Sequence, residues 1–113
     1  MEIHWRNAQE IGDELREKVE QQIGRLATHH RDLIDATVDV QRHSEHHRLE
    51  ARSVEIRCQA RGASLVAHGT HESLPVALHE ALRSFRREVQ RLRERRRDAR
   101  ELQPPVAPMH GVI

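Results

Sequence analysis

The spacing of apolar residues along the chain switches between two periods. Residues 1–6 alternate, with Ile3 and Trp5 on one side and Glu2, His4 and Arg6 on the other. A period of two predicts a strand, and residues 7–10 read as a turn. From about residue 9 to 28 the step lengthens. Ile11, Leu15, Val19, Ile23 and Leu26 draw a helical stripe. Alternation returns at 33–43, with Ile34, Ala36, Val38 and Val40 facing one way and Asp35, Thr37, Asp39 and Gln41 the other. The polar stretch 44–48 reads as a hairpin connection. A strand over 49–60 points Val54, Ile56, Cys58 and Ala60 inward. Arg61, Gly62 and Ala63 form a tight turn in which Gly62 is free to take positive φ. A shorter strand over 64–70 carries Leu65, Ala67 and Gly69 on one face. Last comes a long helix over 73–100, with Leu74, Leu78, Leu82, Phe85, Val89 and Leu92 at steps of three and four. Ser73 reads as its N-cap, and Pro75 falls in the first turn, where a missing N–H costs little.

This order, β-α-β-β-β-α, predicts an α+β two-layer sandwich. Strands with one apolar face need a cover, which the two amphipathic helices supply on one face. The strand–helix–strand crossover makes the first two strands parallel neighbours, and the last three form an antiparallel meander. The result is a four-stranded mixed sheet whose other face is polar. Residues 1–102 make one domain. Residues 103–113, with Pro104, Pro105 and Pro108, are expected to be a flexible tail.

Composition narrows the function. Only Trp5 and Phe85 are aromatic among 113 residues, which argues against an aromatic-lined ligand pocket. One cysteine, Cys58, excludes an internal disulfide and is expected to be an inert core residue. The N-terminal residues do not read as a signal peptide, and no apolar run approaches the roughly 20 residues of a membrane span. The expectation is a cytoplasmic protein without a membrane partner. Charge is polarised. Between Arg83 and Glu101 nine arginines face four acids, a net +5, whereas the whole chain is only +1. Arginine's planar fork suits phosphate, and a row of them on a rigid helix can follow a nucleic-acid backbone. The same residues on a solvated helix face, paired with Glu88 and Glu94, are the competing explanation.

Several stretches resemble the ribosome hibernation-promoting factor family, which includes the ribosome-associated inhibitor (protein Y) and the sigma-54 modulation proteins. In the first helix, Glu14-Leu15-Arg16-Glu17-Lys18-Val19 is similar to the family's Leu-Arg-x-x-Val segment, and Ile23-Gly24-Arg25-Leu26 leads on through Asp32-Leu33-Ile34. In the last helix, Val76-Ala77-Leu78-His79-Glu80-Ala81-Leu82 followed by Phe85, Arg87 and Val89 has the family's spacing. Arg87, Arg91 and Arg93 fall where the family has an Arg and following lysines. The strand after Gly62 fits the family's fourth strand. The chain departs in using arginine for lysine, His79 for an acidic residue, and a histidine-rich hairpin. The resemblance, to the short form of the family, covers residues 1 to about 100. It implies a non-enzymatic factor that binds the small ribosomal subunit in the mRNA and tRNA channel and inhibits translation under stress or in stationary phase.

The candidate RNA-binding residues are Arg83, Arg86, Arg87, Arg91 and Arg93 on the last helix, with Arg16, Lys18 and Arg25 added from the first. Arg16 and Arg25 lie off the apolar stripe and are expected to be solvated. Structured RNA is read through shape, phosphate and 2′-OH contacts, so few aromatics are needed. His43, His46 and His47 are weak metal candidates without a defined ligand spacing; RNA contact is the other use of such imidazoles. No cofactor or small-molecule substrate is expected. No nucleophile elbow, phosphate-binding glycine loop or His-Glu-x-x-His is present. The alternative is a protein-interaction or metal-responsive module on the same fold that does not bind ribosomes.

Overall fold

The computed structural model describes residues 1–45 and 49–102. Its elements are β1 (Glu2–Arg6), α1 (Asp13–His29), β2 (Leu33–Glu45), β3 (Leu49–Ala60), β4 (Ala63–His71) and α2 (Leu74–Leu102). The strands lie in the order β1-β2-β3-β4. β1 runs parallel to β2, while β2–β3 and β3–β4 are antiparallel. This is the expected mixed sheet with both helices on one face. The expected tail at 103–113 lies outside the described residues.

The core forms where the inward rows of the sheet meet the helical stripes. Val38, Val54 and Ile56 from the sheet, Ile23 from α1 and Phe85 and Leu78 from α2 are fully or almost fully buried. Burial of such side chains contributes roughly 1.5–3 kcal/mol each relative to exposure. β3 is one of the two inner strands, and its inward residues are those the alternation predicts. Small residues set the helix-to-sheet distance. A Cβ on Gly69 of β4 would lie 2.2 Å from the Ala77 carbonyl oxygen and 2.5 Å from the Ala81 amide nitrogen. The missing side chain therefore lets the α2 backbone lie directly on β4. Gly62, at φ 71°, closes the two-residue turn between Ala60 and Ala63.

Three local expectations differ from the structure. α1 begins at Asp13, about four residues later than the stripe suggests. Ile11 is buried all the same, from a turn in which its N–H donates to the Ala8 carbonyl at 3.1 Å. Gly12, in extended conformation, starts the helix, and Asp13 and Glu14 in its first turn complement the helix dipole. Ile34 does not face the core. A register shift between Leu33 and Asp35 changes the parity of β2, so Leu33 turns inward and Ile34 is 50% exposed. The Ser73 hydroxyl makes no capping bond among the described residues. The Ser73 carbonyl accepts from the Ala77 N–H, and its own N–H donates to His71 Nδ1 at 2.9 Å.

α2 outruns the sheet. Its 29 residues span about 43 Å, and Leu92 is the last buried residue along it among the described side chains. The far end therefore projects past the core beside the connection that leaves α1. At the other end of the sheet, Glu10 in the loop before α1 pairs with Arg42 of β2 and Arg52 of β3. These arginines are register partners on neighbouring strands. The acid between them relieves their mutual repulsion, and its hydrogen bond with Arg52 holds the Glu10 carboxyl below its usual pKa.

Candidate nucleic-acid interface

Between the end of α1, the connection that follows it and the second half of α2 lies an open cleft of about 930 Å³. Its walls are chemically uneven. Leu26, Val89 and Leu92 form the apolar floor, while Arg86, Arg93, Arg96 and Arg97 with the single acid Glu94 line one side, and His29, His30 and Arg31 with Asp32 the other. The helical period explains why α2 presents so much charge here. Arg83, Arg86, Gln90, Arg93 and Arg97 follow one another at steps of three, four, three and four, so they share one flank. No acid interrupts that row. The adjacent row, Arg87, Arg91, Glu94 and Asp98, is mixed. On α1 the row Lys18, Gln22, Arg25 and His29 has the same spacing. The rows meet where Arg86 Nη2 donates to Gln22 Oε1 at 2.7 Å.

The structure therefore gathers most of the expected basic residues on one helical surface, though not in equal positions. Arg86 and Arg93 line the cleft, and Arg83 extends their row. Lys18 and Arg25 are exposed on the flank of α1 that carries Gln22. Arg87 is exposed on the crest of α2. Arg91 is exposed but donates from Nη1 to Glu88 Oε1 at 2.9 Å, forming the surface pair that competes with phosphate contact.

Arg16 is the correction. It was expected to be solvated beside Arg25, yet it is half-buried on the opposite flank of α1. Its guanidinium lies 5.2 Å from the centroid of the Trp5 ring, and its Nη2 donates to the Ala8 carbonyl at 3.2 Å. The cause is Trp5, whose Nε1–H donates to Glu20 Oε1 at 3.0 Å and whose ring offers a face for stacking. Arg31, Arg96 and Arg97, with His29 and His30, are basic cleft residues outside the set expected from the sequence. The signal for Arg97 was present in its spacing from Arg93, Arg86 and Arg83. Arg31 lies in a connection, where no periodicity points to it.

Burial lowers the pKa of His30 below its usual value, and the Arg93 guanidinium adds to this, as does His29 to a smaller extent; Asp32 pulls the other way. Cys58 is buried in the sheet, and its thiol is pushed up to about 11, chiefly by burial and further by Asp35 and Asp32. A protonated, enclosed thiol is a poor nucleophile and metal ligand, in keeping with the core role expected for it. Among the described residues no group of three or more His, Cys, Asp or Glu is placed to hold a metal ion. His46, His47 and the side chain of His43 lie outside the described residues. No described helix is long and apolar enough to cross a membrane.

Two amphipathic helices on one face of a mixed sheet, with a cationic cleft between them, define a small α+β domain with a basic helical face. The chain belongs to the sigma 54 modulation protein / S30EA ribosomal protein family, whose sequence profile matches residues 1–97. Its fold is similar to that of a ribosomal subunit interface protein from Coxiella burnetii, with a TM-score of 0.69 at 12% identity over 83% of this chain and 99% of that one. It is also similar to the N-terminal domain of Thermus thermophilus Protein Y, with a TM-score of 0.61 at 21% identity over 80% and 94%. At these identities the likeness is one of fold. No curated protein matches the sequence.

Proposed function

We propose that this chain is a ribosome-associated translation inhibitor of the hibernation type, which binds small-subunit rRNA in the channel used by mRNA and tRNA under stress or in stationary phase. The observation that carries this reading is the uninterrupted row Arg83, Arg86, Gln90, Arg93 and Arg97, set across a cleft from His29, His30 and Arg31. Its cations lie on two rigid helices and a short connection, which is how a phosphate backbone is followed rather than a small ligand enclosed. Membership of the family adds to this, as do structural neighbours named for the ribosomal subunit interface and as Protein Y. Arg83, Arg86 and Arg93, with Lys18 and Arg25, are the phosphate contacts, and Arg87 and Arg91 serve at the margin. Arg16 supports the first helix from the other side. Residues 1–102 are the RNA-binding unit.

The test is cosedimentation with small ribosomal subunits across a salt series. Saturable binding that weakens steeply with salt and competes with initiator tRNA is the expected result. Absence of association at low salt would overturn the reading.

A further inference from the structure

Arg96 departs from its neighbours. Among the described side chains of α2 it is the one arginine that is half-buried; Arg83, Arg86, Arg87, Arg91, Arg93, Arg95 and Arg97 are exposed. Its Nη1 donates to Asp32 Oδ2 and its Nη2 to the Arg61 carbonyl oxygen. The ring closes through the backbone, where the Arg61 N–H donates to the Asp32 carbonyl at 2.9 Å. Three separate parts of the chain meet at one guanidinium: the connection between α1 and β2, the turn between β3 and β4, and the far end of α2.

The location gives this contact a use beyond local order. Asp32 directly follows His30 and Arg31, which form one wall of the cleft, while Arg93 and Arg97 flank Arg96 on the other. Past Leu92 no described α2 side chain is buried, so apolar packing does not hold this end of the helix. We propose that Asp32 and Arg96 are a positioning pair. They hold the overhanging end of α2 at a set distance from the α1–β2 connection, so that Arg31, Arg93 and Arg97 meet an RNA backbone in an arrangement already formed. Arg96 is thereby withdrawn from phosphate contact. Such preorganisation strengthens binding by removing the cost of ordering the two walls. The inference rests on the RNA-binding reading and adds the residues that set the geometry of its site.

Two substitutions separate this role from bulk charge. Asp32→Asn removes a negative charge from the rim of a cationic cleft, so attraction for RNA taken alone would tighten binding. Arg96→Lys keeps the positive charge but loses the planar fork that reaches both acceptors. In binding to small ribosomal subunits each variant is expected to be weaker by roughly fivefold, with the slope of log affinity against log salt unchanged because no phosphate contact is lost. The double variant should be no weaker than either single one, as for two halves of one device. Thermal melting of each variant confirms that the fold persists, and Arg96→Lys carries the test alone should Asp32→Asn fail to fold. Binding by Asp32→Asn as tight as the parent's, or tighter, overturns the proposal. So does an Arg96→Lys variant that binds like the parent while Arg96→Met loses salt slope, since Arg96 would then be a phosphate ligand itself. If the parent chain does not bind subunits at all, the proposal falls with the function it rests on. If the parent binds and these variants match it, only the positioning role falls.

Discussion

Arg16, Arg93 and Arg96 carry the same guanidinium in three different surroundings. Arg16 stacks on Trp5, Arg96 ties three segments together, and Arg93 stands exposed along the cleft. The net +5 of the Arg83–Glu101 segment therefore overstates what is available to a partner. Replacing both Arg86 and Arg93 with Glu should weaken subunit binding more than replacing Arg87 and Arg91, and should lower the salt slope by about 0.9 per lost phosphate contact. A titration of each pair in a salt series checks the order; equal losses would show that flank and crest contribute alike, and a larger loss at Arg87 and Arg91 that α2 binds by its crest. His30 yields a pH prediction. Its pKa is lowered in the native state, so as pH falls below about 6.5 the unfolded chain takes up the proton first. The stability associated with neutral His30 is present above that pH and is lost as pH falls through the lowered native value. His30→Gln should flatten this part of the pH dependence, measured as urea midpoints between pH 7.5 and 5. A variant whose midpoints fall as steeply as the parent's would contradict it.

At the scale of elements, the helices and strands were legible because each has a single apolar face. The bounds of β3 follow from alternation, and the six-element order from the switch between the two periods. Two boundaries did not follow, for definite reasons. Ile11 continues the spacing of α1, yet a buried residue in a preceding turn satisfies the same spacing. Alternation placed Ile34 inward with Ala36, but Leu33 beside it is equally apolar, and the bulge reverses the two. Gly69 was expected on the inward face, but its contact with α2 was invisible. Gly69→Ala puts a methyl group against backbone atoms that cannot rotate away, so α2 must shift off β4. The expected destabilisation is about 1–3 kcal/mol or more, read from denaturant midpoints. An unchanged midpoint would mean that α2 does not rest on this residue.

Across the whole molecule, charge is divided between two faces. The helical side carries the arginine row, while the open side of the sheet carries Asp35, Asp39 and Glu55 with Arg57, which pairs with Glu55. A helix about 10 Å across and the sheet beneath it separate the two sides by more than the screening length of about 8 Å at physiological salt. Arg57→Glu should therefore leave subunit affinity within about twofold of the parent, whereas the same charge change at Arg93 should reduce it severalfold. Comparable losses at both positions, measured in the same cosedimentation assay, would mean that RNA responds to net charge rather than to the cleft.

The amino-acid sequence by itself determined the element order, the mixed sheet, the lean aliphatic core and the concentration of arginine on the last helix. These depend on periodicity and composition, which are local properties of a chain. The tertiary structure decided which arginines are engaged within the fold and which line the cleft. Arg16 is taken up by a tryptophan 11 positions before it, and Arg96 by an aspartate 64 positions before it. Arg31 reaches the cleft because the connection after α1 lies across from α2. A guanidinium's role depends on which acceptors and rings lie within a few ångströms, and in this fold they come from distant parts of the chain.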